Sequence, residues 1–260
     1  MSTKCVVIGR GRAGFARVRS IQNNHLFQIE NMVAGRDFDT EKIQDCDLVF
    51  VCTENGSHYD ICLRLLQKGC GVVVEYPPCE NQLQWRTLTH LAEEKRCYFY
   101  CGLIGLHSSI HQKRKEWIRN HPHTSMHVQF EGGLYRWVEK EAKAKHCAQL
   151  AFGRLAAIWD ICGPLTPIHA IREEEGGVYR FSVQLQSELG CTIQLDEVRE
   201  EGRQRHSQWR YVADTRIETN KFPKEDLFAM DLDRIQRKEA SLIDIDSLFA
   251  CMDSIQKMVA

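Results

Sequence analysis

The sequence has little of the features that commonly reveal a macromolecular partner. Its 260 residues carry a formal net charge of −1, so no overall field attracts nucleic acid or an anionic membrane surface. No apolar run is long enough to span a bilayer, and the run after Met1–Lys4 is too short for a signal peptide. These absences argue against nucleic-acid and membrane partners and predict a protein of the cytoplasm.

The sequence also lacks the cysteine spacings that bind zinc. Twelve cysteines are present, but no C-x-x-C pair occurs and no cysteine–histidine cluster has zinc-ligand spacing. Without a secretion signal, a disulfide framework is not expected. We therefore predict reduced thiols that serve mostly as small core residues, and no metal site.

What the sequence does have, at its start, is a glycine-rich turn. An apolar run, Cys5–Ile8, precedes glycines spaced G-x-G-x-x-G, and a helical pattern follows. In a dinucleotide fingerprint the first glycine allows the turn, the second admits the pyrophosphate, and the third brings helix and strand together. The alternative is a turn without a ligand. The residues predicted to contact a dinucleotide here are Gly9, Arg10, Gly11, Arg12, Ala13 and Gly14.

The end of the predicted second strand, Ile29–Ala34, bears on the choice between NAD and NADP. In this fold the residue at that position faces the adenine ribose, and an acidic residue there favours NAD. The chain has Gly35 and then Arg36, and a guanidinium can pair with a 2′-phosphate. The sequence therefore favours NADPH over NADH as the cofactor, although Asp37 could instead pair with Arg36, and both could be solvated turn residues.

Polar residues follow the next two strands where ligands of open α/β sheets bind. Thr53, Glu54, Asn55 and His58 follow the apolar run 48–52, and Glu75 ends the strand at 71–74. We predict that all five contact the cofactor. His58 is expected to be a local hydrogen-bonding residue rather than a catalyst.

The order of strand and helix patterns predicts two domains. Strands and helices alternate up to Cys101, which predicts an α/β doubly wound parallel sheet, the Rossmann dinucleotide-binding domain, over residues 1–102. Period-two runs then predict an α+β domain with a mostly antiparallel sheet over residues 103–260. Those runs are 125–130, 167–172, 178–186, 192–198 and 208–212, with helices at 108–120, 147–162 and 243–258.

These motifs together resemble the Gfo/Idh/MocA oxidoreductases. The glycine turn, the segment Thr53-x-Asn55-x-x-His58 and E-x-P after the fourth strand are similar to that family's pattern. Most members have a catalytic lysine between the glutamate and the proline, where this chain has Tyr76. Glu-Tyr-Pro at this position is a mark of the biliverdin reductases. The segment Gly153-Arg154-Leu155 also resembles a segment of those enzymes.

The resemblance implies hydride transfer from NADPH to biliverdin, a bilin tetrapyrrole, to give bilirubin in heme catabolism. It implies catalytic roles for Tyr76, as a positioning donor, and for Arg154, with Arg136 a second cation for the propionates. Tyr76 could instead pack beneath the nicotinamide, and Arg154 could be a structural salt-bridge partner. Vertebrate members of that family act as monomers, which favours a monomer here.

Two other functions stay open at this point. The sugar dehydrogenases of the superfamily carry a histidine and an aspartate where this chain has Gly153 and Ala156, which argues against sugar oxidation. The chain could still be a related oxidoreductase with another small substrate. It could also be a cofactor-binding regulator without catalysis, because the segment Cys101–Leu106 has no acidic side chain and no histidine where vertebrate biliverdin reductases are acidic and rich in histidine.

Overall fold

The computed structural model describes residues 2–43, 46–134, 147–211, 217–219 and 225–259. The chain divides into two compact units, each described here by itself. The first unit is Met1–Ser108 together with Glu225–Leu242, and the second is Ser109–Lys224 with Ile243–Ala260. The domain boundary expected at residue 102 stays a prediction. The segment Glu225–Leu242, which was expected in the second domain, belongs to the first unit.

A five-stranded parallel sheet forms the centre of the first unit. Its strand order is β2-β1-β3-β4-β5. The four residues of β3 are all buried, as a parallel strand covered on both faces requires. The strands are β1 (Thr3–Ile8), β2 (Phe27–Val33), β3 (Leu48–Val51), β4 (Gly71–Glu75) and β5 (Phe99–Gly102).

Helices alternate with these strands, as the sequence predicted. They are α1 (Arg12–Gln22), α2 (His58–Lys68) and α3 (Gln82–Lys95). Helix α2 ends at Gly69, whose φ of 88° is the left-handed conformation that glycine adopts without steric cost. Asn81 caps α3 by accepting a hydrogen bond from the Gln84 amide.

The second unit contains a six-stranded mixed sheet of order β11-β10-β6-β9-β8-β7. Four of its pairings are antiparallel, but β6 and β9 run parallel. One parallel pair among five agrees with the predicted mostly antiparallel sheet, although the sequence did not show which pair it would be. The strands are β6 (Ser125–Gly133), β7 (Leu165–Glu175), β8 (Val178–Ser187), β9 (Thr192–Glu200), β10 (His206–Tyr211) and β11 (Ile217–Thr219).

The helices of this unit differ from the prediction in one respect. The helix expected at 147–162 is two segments that meet at Ala151, namely α5 (Cys147–Leu150) and α6 (Phe152–Cys162). The others near their expected positions are α4 (Ser109–Asn120) and α8 (Ile245–Val259). Arg136 and Val212 lie outside the described residues, so the predictions for them are not addressed.

One helix was not predicted: α7 (Leu227–Gln236), which belongs to the first unit. Asp226 caps it, because its carboxylate accepts a hydrogen bond of 3.0 Å from the Ala229 amide. Helix α7 packs against α1 and against the 3-10 turn Ile104–His107. Leu232 and Ile235 thereby enter the core beneath the parallel sheet.

Among the residues described, no helix is long and apolar enough to cross a membrane. The same residues contain no group of three side chains that could hold a metal ion. Eight of the eleven cysteines described are buried, in keeping with the core role expected for them.

Candidate functional site

The glycine turn between β1 and α1 has the geometry that a dinucleotide fingerprint requires. Gly9 has a φ of +120°, and a Cβ there would lie 2.3 Å from the Cys52 carbonyl oxygen. A Cβ on Gly14 would lie 1.9 Å from the Gly9 carbonyl oxygen. A Cβ on Gly11 would meet no atom within 4 Å. The first and third glycines are thus required by packing, whereas the second faces open space.

The amino end of α1 fits an anionic group. Gly11 is its N-cap, and neither a capping side chain nor an acidic residue occupies its first turn in the described structure. The amides of such a first turn lack partners within the helix and carry the positive end of its dipole. Arg12 is exposed at this end, and Arg10 donates to the Met32 carbonyl oxygen at 3.1 Å. A pyrophosphate over Gly11 would meet these amides.

The segments that follow β2 and β3 approach each other beside this turn, although β1 lies between the two strands in the sheet. A Cβ on Gly35 would lie 2.7 Å from the Thr53 Cγ2 atom. Arg36 follows with a side chain that is 88% exposed, and its Nε lies 3.8 Å from Asp37 Oδ1. A contact that long between exposed groups contributes little free energy. The Arg36 guanidinium therefore remains available for an anion.

His58 stabilises the loop that follows β3. The buried imidazole has its Nδ1 atom 2.7 Å from the Pro77 carbonyl oxygen and its Nε2 atom 3.1 Å from the Thr53 carbonyl oxygen. His58 thus links the loops that follow β3 and β4, the local role expected for it. Glu54 is exposed and Asn55 half-buried at this edge. Their contact with a cofactor stays a prediction.

Glu75 lies in a buried ion-pair network that sequence reasoning missed. The Nη2 atom of Arg17 lies 2.9 Å from Glu75 Oε1 and 2.9 Å from Asp231 Oδ2, and Arg17 is fully buried. The guanidinium also faces the rings of Phe50 and Phe228, at 5.1 and 4.6 Å. This network gives the Glu75 carboxylate a structural partner at the predicted cofactor edge.

Asp231 joins two further side chains to the network. Besides Arg17, it accepts from the Tyr100 hydroxyl at 2.8 Å and lies 3.3 Å from His107 Nε2. Burial alone would raise the pKa of Asp231, but His107, Arg17 and Tyr100 together bring it below its usual value. Burial raises the pKa of Glu75 despite its ion pair with Arg17.

Tyr76 follows Glu75 at the carboxyl end of β4. Its side chain is 38% exposed, whereas Pro77 and Pro78 after it are buried. The peptide bond between Tyr76 and Pro77 is cis. The exposed Tyr76 ring therefore lies between two buried residues, Glu75 and Pro77.

Arg154 lies in the second unit within a cluster of arginines around Phe130. Its guanidinium on α6 contacts the Leu150 carbonyl oxygen and the buried Glu197 carboxylate on β9. Arg199 Nε lies 2.6 Å from the other oxygen of Glu197. The guanidinium carbons of three arginines lie 4.0, 4.4 and 5.6 Å from the Phe130 ring centroid; they belong to Arg154, Arg199 and Arg205.

The ion pairs of the described residues leave more positive than negative charge on Arg154 and Arg199. Arg154 and Arg199 share one carboxylate, that of Glu197, and the Nε atom of Arg154 has no partner among the described residues. Burial lowers the pKa of Arg199, Glu197 opposes this shift, and the charge of Arg154 adds to it. A partly buried excess of positive charge favours an anionic group. Arg199 and Arg205 gave no signal in the sequence, because period-two patterns do not show which strands become neighbours.

Comparison with known families agrees with the geometry of the first unit. Residues 26–103 match the model of the Gfo/Idh/MocA family, an oxidoreductase family with an NAD-binding Rossmann fold. Biliverdin reductase A of Mus musculus is 32% identical over 105 residues, which cover 35% of this chain and 36% of that protein. Biliverdin reductase A of Homo sapiens is 30% identical over 106 residues, with the same coverage. The match thus spans about a third of the length of these curated relatives.

Solved structures extend the likeness in fold to almost all of the chain. Biliverdin reductase from Synechocystis sp. PCC 6803, in complex with biliverdin and NADP+, gives a TM-score of 0.76 at 16% identity and covers 98% of each chain. The WlbA dehydrogenase from Thermus thermophilus, in complex with NAD and UDP-GlcNAcA, gives 0.76 at 12% identity and covers 99% of this chain and 95% of that one. At these identities the likeness is one of fold.

The fold class predicted from the sequence, a Rossmann domain and an α+β domain, is confirmed. Residues 26–103 of the first unit match an oxidoreductase family with an NAD-binding Rossmann fold, and the second unit is built on a mostly antiparallel mixed sheet. The chain resembles biliverdin reductases in sequence over part of its length and in fold over nearly all of it. The predicted cofactor class, NAD(P), is confirmed with the domain.

Proposed function

We propose that this protein is an NADPH-dependent reductase that transfers a hydride to biliverdin and yields bilirubin. One observation carries the proposal: Tyr76 stands, partly exposed, between Glu75 and Pro77 at the carboxyl end of β4. Other members of the family have a lysine there, and Glu-Tyr-Pro marks the biliverdin reductases. The partial identity to the mammalian enzymes supports the same choice.

The cofactor supplies the hydride when it is bound, and the residues of this chain position it. The open space at Gly11 and the amides of α1 fit its pyrophosphate. Arg36, exposed at the end of β2, fits a 2′-phosphate, which supports NADPH over NADH.

The site must also deliver a proton to a pyrrole nitrogen when the hydride arrives. A free tyrosine has a pKa near ~10 and an arginine stays charged at all ordinary pH values. Neither Tyr76 nor Arg154 is thus a natural acid at neutral pH. We assign Tyr76 the role of a positioning donor, and Arg154 that of holding a proton-supplying water or stabilising developing charge.

The arginine cluster supports a substrate with carboxylates. Two guanidinium groups around Phe130 share the single carboxylate of Glu197, and the cation predicted to meet the bilin propionates, Arg154, is one of them. Arg199 and Arg205 extend that cation into a cluster. Bilins carry two propionates, whereas an uncharged substrate would gain nothing from such a site.

The experiment is a steady-state assay of biliverdin reduction by purified variants. We expect Arg154→Ala to lower kcat/KM roughly tenfold to a hundredfold, since one charge-assisted hydrogen bond is worth about 1.5–3 kcal/mol. Tyr76→Phe should lower it by a smaller factor, because only a neutral donor is lost. Arg180→Ala is the matched control, since Arg180 is exposed on β8 outside the cluster.

Activity that persists unchanged in both Tyr76→Phe and Arg154→Ala would show that the site is wrongly assigned. Binding of NADPH without reduction of biliverdin would favour another substrate or a cofactor-binding regulator. The first result would overturn the assignment of Tyr76 and Arg154, and the second would overturn biliverdin as the substrate.

A further inference from the structure

The three described cysteines that are partly exposed lie together in the first unit. They are Cys46, Cys70 and Cys97, and the other eight described cysteines are buried. Each of the three comes one or two residues before a strand of the parallel sheet. The sheet register pairs Leu48 with Gly71 and Val72 with Phe99. The cysteines therefore meet at the amino edge of β3, β4 and β5.

The spacing at this edge suits a bond between neighbours. Adjacent strands lie about 4.8 Å apart, within the span of about 4.4–6.8 Å that a disulfide bridges between Cα atoms. Gly71 shows the closeness directly, because a Cβ on it would lie 2.9 Å from the Asp47 carbonyl oxygen and 3.8 Å from that of Tyr98. Those two residues adjoin Cys46 and Cys97.

The thiols differ in their surroundings. The Cys46 thiol donates a hydrogen bond to the Cys70 sulfur, and this bond, with the charge of Lys68, lowers the pKa of Cys70 to about 7. The same bond raises the pKa of Cys46. Burial raises the pKa of Cys97, and the charge of Cys70 adds to that shift. Cys70 is thus the member of the cluster that is substantially a thiolate at neutral pH.

We propose that Cys70 is a peroxide-reactive thiol and that its oxidation product is a reversible disulfide with Cys46. The strand order carries this assignment, since β4 lies between β3 and β5 and so places Cys70 between two other accessible thiols. The hydrogen bond between Cys46 and Cys70 supports Cys46 as the partner. The reactant is hydrogen peroxide or another hydroperoxide.

The chemistry balances in two steps. The Cys70 thiolate attacks one peroxide oxygen and the O–O bond breaks, which gives a sulfenic acid at Cys70 and a hydroxide that takes up a proton to become water. The Cys46 sulfur then attacks the Cys70 sulfur, the S–O bond breaks, and the Cys46 proton leaves with the hydroxyl group as a second water. Two thiols are oxidised, and one peroxide is reduced to two waters.

This site is separate from the proposed reductase site. The cysteines lie at the amino ends of the strands, whereas the glycine turn and Tyr76 lie at the carboxyl ends. A test of Cys70 can therefore fail without contradicting biliverdin reduction, and a failed reductase assay does not contradict the proposal for Cys70.

The first test needs no variant. Native protein is treated at pH 7 with limiting iodoacetamide, and alkylation of each cysteine is followed by mass spectrometry. We expect Cys70 to react roughly tenfold faster than Cys97, which is similarly accessible but more fully protonated. Cys191 controls for access, because its pKa is lowered to about 6 while the residue is fully buried. Equal rates at Cys70 and Cys97 would contradict the proposal.

The second test maps the oxidised product. Hydrogen peroxide is added, free thiols are blocked, and the digest is searched for a Cys46–Cys70 crosslink that dithiothreitol removes. Cys70→Ser and Cys46→Ser should each abolish that crosslink, and Cys97→Ser should leave it in place. The proposal is wrong if Cys70 bonds to Cys97, or if Cys70 proceeds to sulfinic acid without a disulfide.

Discussion

His58 is a buried imidazole whose two nitrogen atoms both face backbone carbonyl oxygens, those of Pro77 and Thr53. Burial lowers its pKa below the usual value, although both hydrogen bonds and the nearby Glu54 oppose that shift. The folded protein therefore keeps His58 neutral at pH values where the unfolded chain protonates it. The stability that neutral His58 contributes is fully present above about pH 6.5, and this contribution is lost as the pH falls toward the folded pKa.

We predict the pH dependence of stability to change when His58 is replaced. In the wild type, His58 should lower the free energy of unfolding by up to about 1.4 kcal/mol per pH unit below pH 6.5. His58→Gln cannot titrate, so the stability difference between wild type and variant should shrink as the pH falls from 7 to 5. Urea unfolding at several pH values measures this. A difference that is constant with pH would mean that His58 does not titrate differently on folding.

Arg36 is the residue on which the choice of cofactor depends. We predict that Arg36→Ala weakens NADPH binding roughly tenfold to a hundredfold, since a charge-assisted pair with the 2′-phosphate is worth about 1.5–3 kcal/mol. NADH lacks that phosphate and should bind the variant as it binds the wild type. Fluorescence titration of both cofactors measures the two affinities.

Arg19 offers a matched control for Arg36. It is exposed in the last turn of α1, away from the end of β2, and Arg19→Ala should change neither affinity. Equal weakening of NADPH and NADH by Arg36→Ala would refute the assignment to the 2′-phosphate. No weakening of either cofactor would show that Arg36 is the solvated turn residue that its exposure also allows.

Helix α7 supplies one carboxylate of the ion-pair network at the predicted cofactor edge. It inserts Asp231 beside Arg17 of α1, and Arg17 in turn holds Glu75 at the end of β4. A helix more than 200 residues away in the chain thus supplies part of the charge that balances Arg17. Removing one partner of a buried ion pair leaves the other charge uncompensated.

We predict that Asp231→Leu destabilises the protein by about 3–5 kcal/mol, because Arg17 keeps only Glu75 as a carboxylate partner among the described contacts. Met230→Ala is the control on the same helix. Its side chain is 42% exposed, so it should change stability by no more than about 0.5 kcal/mol. Denaturant unfolding compares the two. Similar small losses in both variants would show that the network contributes little to folding.

The sequence contains a local pattern that indicates helix α7, but no pattern that indicates to which unit this helix belongs. Asp226 before Leu227 is an N-cap pattern, and Leu232 and Ile235 have helical spacing. Nothing local indicates that this helix returns to the first unit, because the contact of Asp231 with Arg17 joins distant parts of the chain. The parallel pairing of β6 with β9 escaped prediction for a related reason, since period-two patterns are the same in parallel and antiparallel pairs.

Across the whole molecule, the parts with strong local chemistry were predictable. The glycine turn, the continuous apolar strand β3, and the alternation of Tyr179, Phe181 and Val183 on β8 each determine local structure and burial. The domain class followed from the order of these patterns and is confirmed by the family match. The candidate site was only partly predictable. Arg154 was named from a resemblance, but its neighbours Phe130, Glu197 and Arg199 are brought together by tertiary packing alone.

The most direct measurement of the central claim follows the hydride itself. Purified protein is incubated with biliverdin and with NADPH that carries deuterium at the transferable position of the nicotinamide, and the product is analysed by absorbance and mass spectrometry. Our account predicts loss of the biliverdin band, growth of a bilirubin band, and deuterium at the central methine carbon of the product. An unchanged biliverdin spectrum, with NADPH binding established separately by fluorescence, would contradict it.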